Sequence, residues 1–327
     1  MKKQLLLFCG ITLMACSSDG NNIIDELPDT SDIKCNYEWD VYPIPVLAGI
    51  GKVWELQPQS DDFNYTAEPG DKKGDFSAKW TDFYHNAWTG PAPTIWQRDH
   101  VSVADGLLKI RTTRPENVEM KEVISGNNSR ELPGTYTGCI TSTHPIRYPV
   151  FIEARAKIAN SVMASDVWLL SADDTQEIDI IEAYGSDRDG GGYGADRIHL
   201  SHHVFIRSPF QDYQPMDPGT WYKNAEGTIW RNDFHRVGVF WRDPLHLEYY
   251  VDGKLVRIVD GMEIIDPNGY TNGAGLVKEM DIIINMEDQS WRAIKGLTPT
   301  NEELKKEQDN TFMVDWIRVY NLVDRNK

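Results

Sequence analysis

The chain has 327 residues, of which 40% are hydrophobic and 25% charged, values typical of a soluble globular protein with one large domain or two ordinary ones. This composition excludes intrinsic disorder, collagen and a polytopic membrane protein. The 33 basic and 50 acidic residues give a net charge of −17, which argues against nucleic-acid binding because a basic surface is missing. The 11 Trp residues suit either stacking on flat ligand faces or a β-rich core.

The first 36 residues are predicted to lie outside the folded domain. In residues 1–15, two lysines precede an apolar run that is too short to span a bilayer, which predicts a signal peptide. The sequence LMAC at 13–16 resembles a bacterial lipobox, so we expect Cys16 to be lipidated; an ordinary secretory signal is the alternative. Residues 16–36 are polar and acidic and predict a flexible tether. These features predict an outer-membrane lipoprotein that faces the cell surface and touches the membrane only through its anchor, or a secreted protein.

Two cysteines remain beyond the leader and the lipobox, Cys35 and Cys139. In an oxidising compartment they could form one disulfide, or both could stay free with Cys139 buried as a small hydrophobic side chain. No Cys or His spacing suggests a zinc site, and we expect no cofactor for catalysis.

Residues 37–324 are predicted to form one all-β domain, because short apolar or alternating runs recur between turn signals. The segment LEYYVDGKLVRIV predicts a hairpin that turns at Asp252-Gly253, and Thr300–Gln308 is the best helical candidate. One unit of this size suits a β-jelly roll, a sandwich of two antiparallel sheets. The predicted strands are Leu107–Thr112, Val150–Ile158, Gln176–Ala183, Ile198–Ile206, Phe234–Trp241, Met280–Met286 and Phe312–Tyr320.

The chemistry is predicted to lie in the strand QEIDIIEA, residues 176–183. Side chains alternate between faces along a strand, so Glu177 and Asp179 share one face. Regular alternation would put Glu182 in the core, where an unpaired charge is costly, and a β-bulge at Ile180-Ile181 would return it to the acidic face. Three carboxyls on one face can give a proton donor beside an ionised nucleophile, as in a retaining glycosidase. A calcium-binding or solvent-facing acidic strand is the alternative.

The motif EIDIIE resembles the bulged signature ExDxxE of glycoside hydrolase family 16, and other segments resemble the β-agarases of that family. They follow the family order over roughly residues 37–320 and read FNYTAEP, NAWTGPAPTIW, WLLSADDTQEIDIIEAYGSDR, ADRIHLSHHVFIRSPFQDYQP, LEYYVDGKLVR, NMEDQSWR and VDWIRVY. The resemblance implies a jelly roll with an open cleft across its concave sheet. It also implies endo-acting, retaining hydrolysis of β-1,4 galactosidic linkages in agarose.

By position in the motif, the resemblance implies that Glu177 is the nucleophile and that Glu182 is the general acid and then the general base. Asp179 would steer protonation and orient the nucleophile. Trp88 and Trp168 are implied as aromatic platforms for sugar faces, although either could lie in the core. The implied partner is a neutral agar-type polysaccharide, and we expect a monomer.

The strand that begins at Ile198 alternates cleanly between two faces. It places His199, His203 and Arg207 on one face and His202 on the other. The polar face is expected to look into the cleft, which makes His203 and Arg207 candidate sugar contacts. A metal site formed by the three histidines is excluded, because His202 points away from the other two.

Two further acids have two interpretations each. Glu287 in NMEDQSWR suits either contact with a sugar hydroxyl or a structural salt bridge. Asp315 in VDWIRVY matches the position at which proteins of family 16 often hold a structural calcium ion, and it could equally be a plain solvent-facing residue.

Two other functions compete with an agarase. A porphyranase would act on the sulfated relative of agarose; the negative net charge disfavours a sulfated substrate, but Arg197 and Arg207 could form a local sulfate pocket. A non-catalytic galactan-binding protein would share the fold and the tryptophans, but it usually lacks one of the two glutamates, and Glu177 and Glu182 are both present.

Overall fold

The computed structural model describes residues 36–188 and 194–325. The signal peptide, Cys16 and Cys35 therefore lie outside the described residues. The thiol of Cys139 is buried, and the question of its pairing stays open. Within the described residues, no helix combines the length and the apolar character that crossing a membrane would require.

Contacts divide the chain into two units, residues up to Pro43 and the unit Ile44–Lys327. The described part of the first unit contains a 3-10 turn, Glu38–Val41. The second unit contains all the strands named below. The domain boundaries 37–324 stay a prediction.

Twenty strands in the described residues, numbered in chain order, form the sheets. They are β1 (Lys52–Leu56), β2 (Trp80–Thr81), β3 (Thr94–Trp96), β4 (Val101–Ala104), β5 (Leu107–Arg111), β6 (Met120–Ser125), β7 (Asn128–Pro133), β8 (Thr135–Thr137), β9 (Cys139–Ser142), β10 (Val150–Lys157), β11 (Ala164–Ser171), β12 (Gln176–Ala183), β13 (Ile198–Arg207), β14 (Phe210–Tyr213), β15 (Trp221–Tyr222), β16 (His235–Asp243), β17 (His246–Val251), β18 (Lys254–Asp260), β19 (Met280–Glu287) and β20 (Thr311–Asp324). The short helices are α1 (Asp75–Lys79), α2 (Met262–Ile265), α3 (Ser290–Ala293) and α4 (Asn301–Leu304). Further 3-10 turns are Arg98–His100, Pro218–Thr220, Trp230–Asn232 and Glu307–Asn310.

Sixteen of the strands form two antiparallel sheets of eight strands each, and the other four form two small sheets, in which β3 pairs with β8 in parallel and β6 pairs with β7 antiparallel. The outer sheet has the order β18-β17-β16-β10-β20-β5-β4, with β1 also paired to β20. The second, which we call the cleft sheet, has the order β14-β13-β12-β11-β19-β9-β2, with β15 also paired to β13. This arrangement confirms the sandwich of two antiparallel sheets.

The core lies between the two sheets. Alternate residues of β10 and β20 pack against alternate residues of β11, β12 and β19, and burial of each Val, Leu or Ile side chain stabilises the fold by about 1.5–3 kcal/mol. Because these contacts occupy one face of the cleft sheet, its other face is free to carry polar residues. Typical core residues are Ile152, Ala154, Val167, Leu169, Ile178, Ile180, Ile282, Ile284, Ile317 and Val319.

The predicted strands are all present and differ from the observed ones only at their ends. The largest difference is in β20, which continues to Asp324 because β1 pairs with residues 320–324. The helical candidate Thr300–Gln308 forms α4 and a following 3-10 turn. Its first residue, Thr300, caps α4 in a reciprocal pair of hydrogen bonds with Glu303.

The predicted hairpin joins β17 to β18. Asp252 and Gly253 have φ angles of 49° and 79°, both in the left-handed region that a two-residue hairpin turn favours. The prediction of a turn at this dipeptide is therefore confirmed.

Strand β12 contains the predicted β-bulge. Asp179 pairs with Ser201 on β13, and the next pair joins Glu182 to His199, so β12 uses one more residue than β13 between the two pairs. The extra residue lies in Ile180–Ile181, and both of these isoleucines are buried in the core. The bulge therefore keeps the apolar side chains inside and places Glu182 on the same face as the preceding acids.

Candidate active site

A cleft of about 1240 Å³ crosses the polar face of the cleft sheet. Carboxyl groups from β11, β12 and β19 lie in it, together with aromatic rings from several loops. One groove thus holds all the acids that the sequence predicts as catalytic. The acidic and aromatic lining residues include Tyr84, Trp88, Asp166, Trp168, Glu177, Asp179, Glu182, Trp221, Glu287 and Trp291.

Three acids follow one another along β12, and β13 supplies a histidine opposite each of the outer two. Glu177 pairs in register with His203, and Glu182 pairs with His199. The side chains of Glu177 and Glu182 are 15% exposed, and that of Asp179 is 9% exposed. Each acid therefore reaches the cleft but is largely removed from bulk water, which strengthens the electrostatic interactions among them.

Glu177 and Asp179 form a cluster with His203. The imidazole Nε2 of His203 lies 3.6 Å from Oδ2 of Asp179 and 3.9 Å from Oε1 of Glu177. Burial, with the charges of neighbouring carboxylates, raises the pKa of Glu177 and raises that of Asp179 to about 6. Burial opposes a charge on His203, but its hydrogen bond to Asp212 and the nearby carboxylates raise the pKa of His203 to about 10. The cluster therefore combines a lasting positive charge with two acids that compete for one proton.

Glu182 has a different environment. Nδ1 of His199 lies 2.5 Å from its Oε2, and the Tyr184 hydroxyl and the Gln289 amide donate to its Oε1 at 2.5 and 3.1 Å. Burial raises the pKa of Glu182, but these contacts outweigh it and lower that pKa to about 2. The pKa values of Glu177 and Glu182 are therefore displaced in opposite directions on one strand, as in paired acid–base sites.

A second pair of acids lies beside Glu182 on neighbouring strands. Asp166 on β11 pairs in register with Glu182 and accepts a hydrogen bond of 3.0 Å from Asn285 on β19. Burial raises the pKa of Asp166 well above its usual range. Burial and the charge of Glu182 raise the pKa of Glu287 to about 8. Glu287 therefore retains a proton near neutral pH and can act as a hydrogen-bond donor toward the cleft, and the surroundings of Asp166 also favour its neutral form.

The comparison with known proteins places this site in a family. Residues 54–322 match the family model described as Beta-porphyranase A-D, GH16 domain. A β-agarase from Phocaeicola plebeius is 67% identical over 324 residues, which are 99% of each chain. The chain belongs to glycoside hydrolase family 16.

One solved structure and one more distant relative agree with this membership. An inactivated mutant of β-agarase B, solved in complex with agaro-octaose, has a TM-score of 0.80 and 49% identity, covering 88% of this chain and 100% of that one. A β-porphyranase D from Zobellia galactanivorans is more distant, at 26% identity over 307 residues, or 86% of this chain and 64% of that protein. The family-16 domain therefore has the predicted jelly-roll fold, and the protein is a glycoside hydrolase, which needs no cofactor for catalysis.

Both predicted aromatic platforms of the family-16 domain line the cleft. Trp88 is 46% exposed, and its ring packs edge-on against Tyr84 and Trp96 at centroid distances of 5.4 and 5.5 Å. Trp168 is only 9% exposed, and its Nε1 donates to Oδ1 of Asn285 at 2.6 Å. Trp88 thus presents an open ring to the cleft, whereas Trp168 belongs largely to the wall.

The two predicted contacts on β13 also line the cleft. His203 lies beside Glu177 and Asp179, as described above, and its contact with a sugar stays a prediction. Arg207 donates to the carbonyl oxygen of Asp174 and packs over the ring of Phe205, with 4.4 Å between the guanidinium carbon and the ring centroid. His202 points to the other face, where its Nε2 lies 3.0 Å from the carbonyl oxygen of Ile265.

Glu287 lines the cleft. Within the described residues it has no basic side chain at salt-bridge distance, so nothing there supports the salt-bridge interpretation. Its contact with a sugar hydroxyl stays a prediction.

Asp315 lies on β20, in the outer sheet and away from the cleft. Its carboxylate accepts a hydrogen bond from the guanidinium of Arg155, and its side chain is 13% exposed. The described residues offer no group of three His, Cys, Asp or Glu ligands that includes Asp315. These side chains do not fit a calcium ion, which takes about six to eight oxygen ligands.

Potential metal ligands in the described residues come together within the cleft. Glu177, Asp179 and His203 form one group and Asp179, Glu182 and His199 another, with the ligand atoms of each within 4.8 Å of one another. The histidine nitrogens already contact carboxylates of the site. We therefore interpret both groups as hydrogen-bonded acid–base groups and not as metal ligands.

Three residues near Glu182 are not singled out by the sequence pattern. Tyr184 lies two positions after Glu182, so strand alternation was an available signal for it. Gln289 follows β19, and Trp221 comes from β15, where its ring stacks on His199 at a centroid distance of 4.3 Å. The approach of these two residues to β12 depends on how distant strands pair.

Proposed function

We propose that this protein is an endo-acting, retaining β-agarase that hydrolyses β-1,4 galactosidic linkages within agarose chains. The observation that carries the proposal is the bulged strand β12, which presents Glu177, Asp179 and Glu182 to one cleft. The identity of 67% to a named β-agarase supports agarose as the substrate. The rings of Trp88 and Trp221 line the same cleft as this acidic row, and several stacking surfaces in one groove favour binding within a long chain.

The proposed first step breaks the glycosidic bond. Glu177 attacks the anomeric carbon while Glu182 gives a proton to the leaving oxygen, which yields a glycosyl ester of Glu177 and a released sugar hydroxyl. In the second step Glu182 takes a proton from water, and the resulting hydroxide attacks the same carbon and frees Glu177. Two inversions leave the product in the β configuration.

Asp179 is proposed to keep Glu177 ready for attack. The two acids compete for one proton, and the positive charge of His203 lies within 4 Å of both of them. When the proton is on Asp179, Glu177 is ionised and can act as the nucleophile. Asp179 therefore steers protonation without forming a bond to the sugar.

The experiment that tests the function compares agarose with porphyran. Purified protein is incubated with each polysaccharide, and the oligosaccharides are sized while proton NMR follows the anomers in fresh digests. We expect rapid internal cleavage of agarose and an initial β-anomer. An initial α-anomer would contradict the double displacement.

A faster depolymerisation of porphyran would make the protein a porphyranase instead. Arg197 and Arg207 line the cleft and are the basic groups that a sulfate would meet. Arg197 is already paired with Asp196 at 3.0 Å, and Arg207 donates to a backbone carbonyl. Because both guanidinium groups have protein partners, we expect a weak response to sulfate. No cleavage of either polysaccharide would favour the non-catalytic, galactan-binding alternative.

Replacing Trp88 with alanine is expected to weaken substrate binding. The exposed ring offers a stacking surface worth about 1–2 kcal/mol, so KM for agarose should rise roughly 5- to 30-fold while kcat changes little. The control is Ile124→Ala, an exposed apolar residue on β6 outside the cleft. An unchanged KM for the Trp88 variant would show that its ring is not a sugar platform.

The protein is proposed to be anchored at the cell surface through Cys16. The lipobox and the acidic tether motivate this proposal, and the anchor is expected to be the sole membrane contact. Replacing Cys16 with serine should move the protein from the membrane fraction to the soluble fraction, while Cys9→Ser should leave it in place. An unchanged distribution of the Cys16 variant would contradict the anchor.

The released domain is proposed to be a monomer, because one chain supplies every residue that the proposed mechanism uses. Light scattering of a soluble form that begins after Cys16 measures its mass directly. A dimer at micromolar concentration would contradict the proposal.

The structural calcium ion stays a prediction from the resemblance. An ion at Asp315 would have to displace the Arg155 guanidinium and take most ligands from the backbone. The measurement is the melting temperature of chelator-treated protein with and without added calcium. The Arg155 contact leads us to expect equal temperatures, whereas a rise that Asp315→Asn abolishes would establish the ion at this position.

A further inference from the structure

Glu182 is the proposed proton donor, yet all its hydrogen-bond partners favour its ionised form. The Tyr184 hydroxyl and the Gln289 amide donate to Oε1, and the imidazole of His199 meets Oε2 at 2.5 Å. A carboxyl group in such surroundings releases its proton well below neutral pH. A proton for the leaving oxygen therefore has to be held by a neighbouring group.

Of the three partners, only His199 has a side chain that can both take up a proton and give it back. The amide of Gln289 does not titrate. Burial and the charge of Glu182 raise the pKa of Tyr184 well above its usual range, so its hydroxyl stays protonated. The imidazole is the side chain that commonly shuttles protons in proteins, and Nδ1 of His199 lies 2.5 Å from Oε2 of Glu182.

The position of His199 is set by the fold. It pairs in register with Glu182 on one side and with Trp221 on the other, and it is 4% exposed. Its ring lies nearly parallel to that of Trp221, at an interplanar angle of 21°. Because the ring is fixed by stacking, Nδ1 stays opposite Oε2 without help from the substrate.

The carboxylate of Glu182 lies 2.5 Å from Nδ1 of His199, and its negative charge favours a proton on the imidazole. Carboxyl groups lie near it on three strands of the cleft sheet. The other basic residues of β13 are His202, which points to the opposite face, His203, which lies beside Glu177, and Arg207; Arg197, just before β13, pairs with Asp196. The neighbouring acids are Asp179 and Glu182 on β12, Asp166 on β11 and Glu287 on β19.

We propose that His199 and Glu182 act as one acid–base unit, in which the imidazole stores the proton that Glu182 delivers to the leaving oxygen. The inference rests on the proposed role of Glu182. His199 is a positioning residue in this scheme, because it acts through Glu182 and does not touch the sugar.

The proton balance of the two steps is complete. In the first step the proton moves from Nδ1 to Oε2 and on to the glycosidic oxygen, which leaves a neutral imidazole, an ionised Glu182 and the glycosyl ester of Glu177. In the second step water gives a proton to Oε2 as it attacks the ester, and that proton returns to Nδ1. The unit ends as it began, with no other reactant consumed.

The two histidines of the cleft have different roles in this scheme. His203 hydrogen-bonds Asp212 at 2.8 Å and lies beside Glu177 and Asp179 as a lasting positive charge. His199 meets the single acid Glu182 at hydrogen-bond distance and exchanges its proton in each turnover. The division explains why β13 presents a histidine opposite each outer acid of β12.

The test is the pH profile of kcat/KM for the variant His199→Asn, which keeps a neutral donor in place of the imidazole. In this variant the last proton that the acid–base pair loses as the pH rises comes from a carboxyl group and not from an imidazole. The basic limb of the profile should therefore move to lower pH by about two pH units, which is the difference between the ordinary pKa values of an imidazole and a carboxyl group. At pH values above the basic limbs of both proteins, kcat/KM of the variant should be about a hundredfold lower than that of the wild type. An aryl glycoside with an activated leaving group needs no proton and should still form the glycosyl ester at close to the wild-type rate.

The matched control is Tyr184→Phe, which removes a hydrogen-bond donor whose hydroxyl keeps its proton throughout the proposed reaction. Its basic limb should stay in place or move up, because Glu182 loses a partner that favours ionisation. A basic limb of His199→Asn that stays within half a unit of the wild-type limb would overturn the inference, even if kcat falls.

A second measurement tests the inference if His199→Asn fails to fold. In wild-type protein labelled with ¹⁵N-histidine, the ring nitrogens of His199 should both carry a proton at the pH of greatest activity, whereas Glu182→Gln, where the carboxylate is absent, should show a neutral ring. A neutral ring in the wild type would overturn the inference. If Glu182→Gln keeps full activity on agarose, the proposed role of Glu182 itself fails, which is a different outcome from an unmoved limb in the His199 variant.

Discussion

Glu177→Gln is expected to abolish hydrolysis of agarose, with a loss of roughly 10⁴-fold or more in kcat. The amide cannot attack the anomeric carbon, so no glycosyl ester forms, whatever the leaving group. Mass spectrometry of the intact protein after incubation with an activated fluorinated substrate should show the ester on the wild type and none on the variant.

The folded state of this variant gives the control. Burial and the charge of Asp179 raise the pKa of Glu177, so the carboxyl is held in surroundings that disfavour its ionised form. Removing it should leave the melting temperature equal to or above that of the wild type, as for other groups held in unfavourable active-site positions. The exposed Glu131→Gln on β7 should be fully active. Substantial residual activity in a correctly folded Glu177 variant would assign the nucleophile elsewhere.

Glu182→Gln is expected to lower activity on agarose by roughly 10²- to 10⁴-fold, the range typical of a lost general acid. The loss should depend on the leaving group. An aryl glycoside that needs little protonation should still form the intermediate, which then accumulates because the second step lacks its base. A burst of aryl alcohol followed by a slow steady state is the kinetic signature.

Azide gives an independent test of the same variant. This small anion needs no deprotonation, so it can attack the accumulated intermediate and restore turnover as a β-glycosyl azide. The control is Glu177→Gln, which should gain nothing from azide because it forms no intermediate. Equal losses of Glu182→Gln on good and poor leaving groups, with no rescue, would show that the residue is structural.

Strand β12 shows how much of the structure the local sequence pattern can predict. A period of two, broken once, predicts a bulge at Ile180-Ile181 and the shared face of three acids, and the register of β12 with β13 confirms both. This inference needs only the cost of burying a charge, which is the same in any sandwich. The strand boundaries and the turn at Asp252-Gly253 follow from equally local rules.

The interpretations that stayed open concern single side chains whose neighbours come from elsewhere in the chain. Whether Trp168 is a platform or part of the wall depends on Asn285, more than a hundred residues away, to which its Nε1 donates. From the sequence, Asp315 is a possible calcium ligand. Only the pairing of β10 with β20 shows that Arg155 donates a hydrogen bond to it. The alternation of residues along a strand gives no information about such contacts between residues far apart in the chain.

The sequence by itself determined that this protein is an all-β sandwich with a three-acid strand, because strand alternation, turn residues and burial costs act over a few residues at a time. The tertiary structure alone decided how each acid titrates. The pKa of Glu182 falls because strand pairing brings His199 to it, the segment after β19 brings Gln289, and Tyr184, just after the end of β12, donates to it as well. Two of these three partners come from distant parts of the chain, so the protonation of Glu182 depends mainly on long-range packing, which decides which groups share a water-poor space.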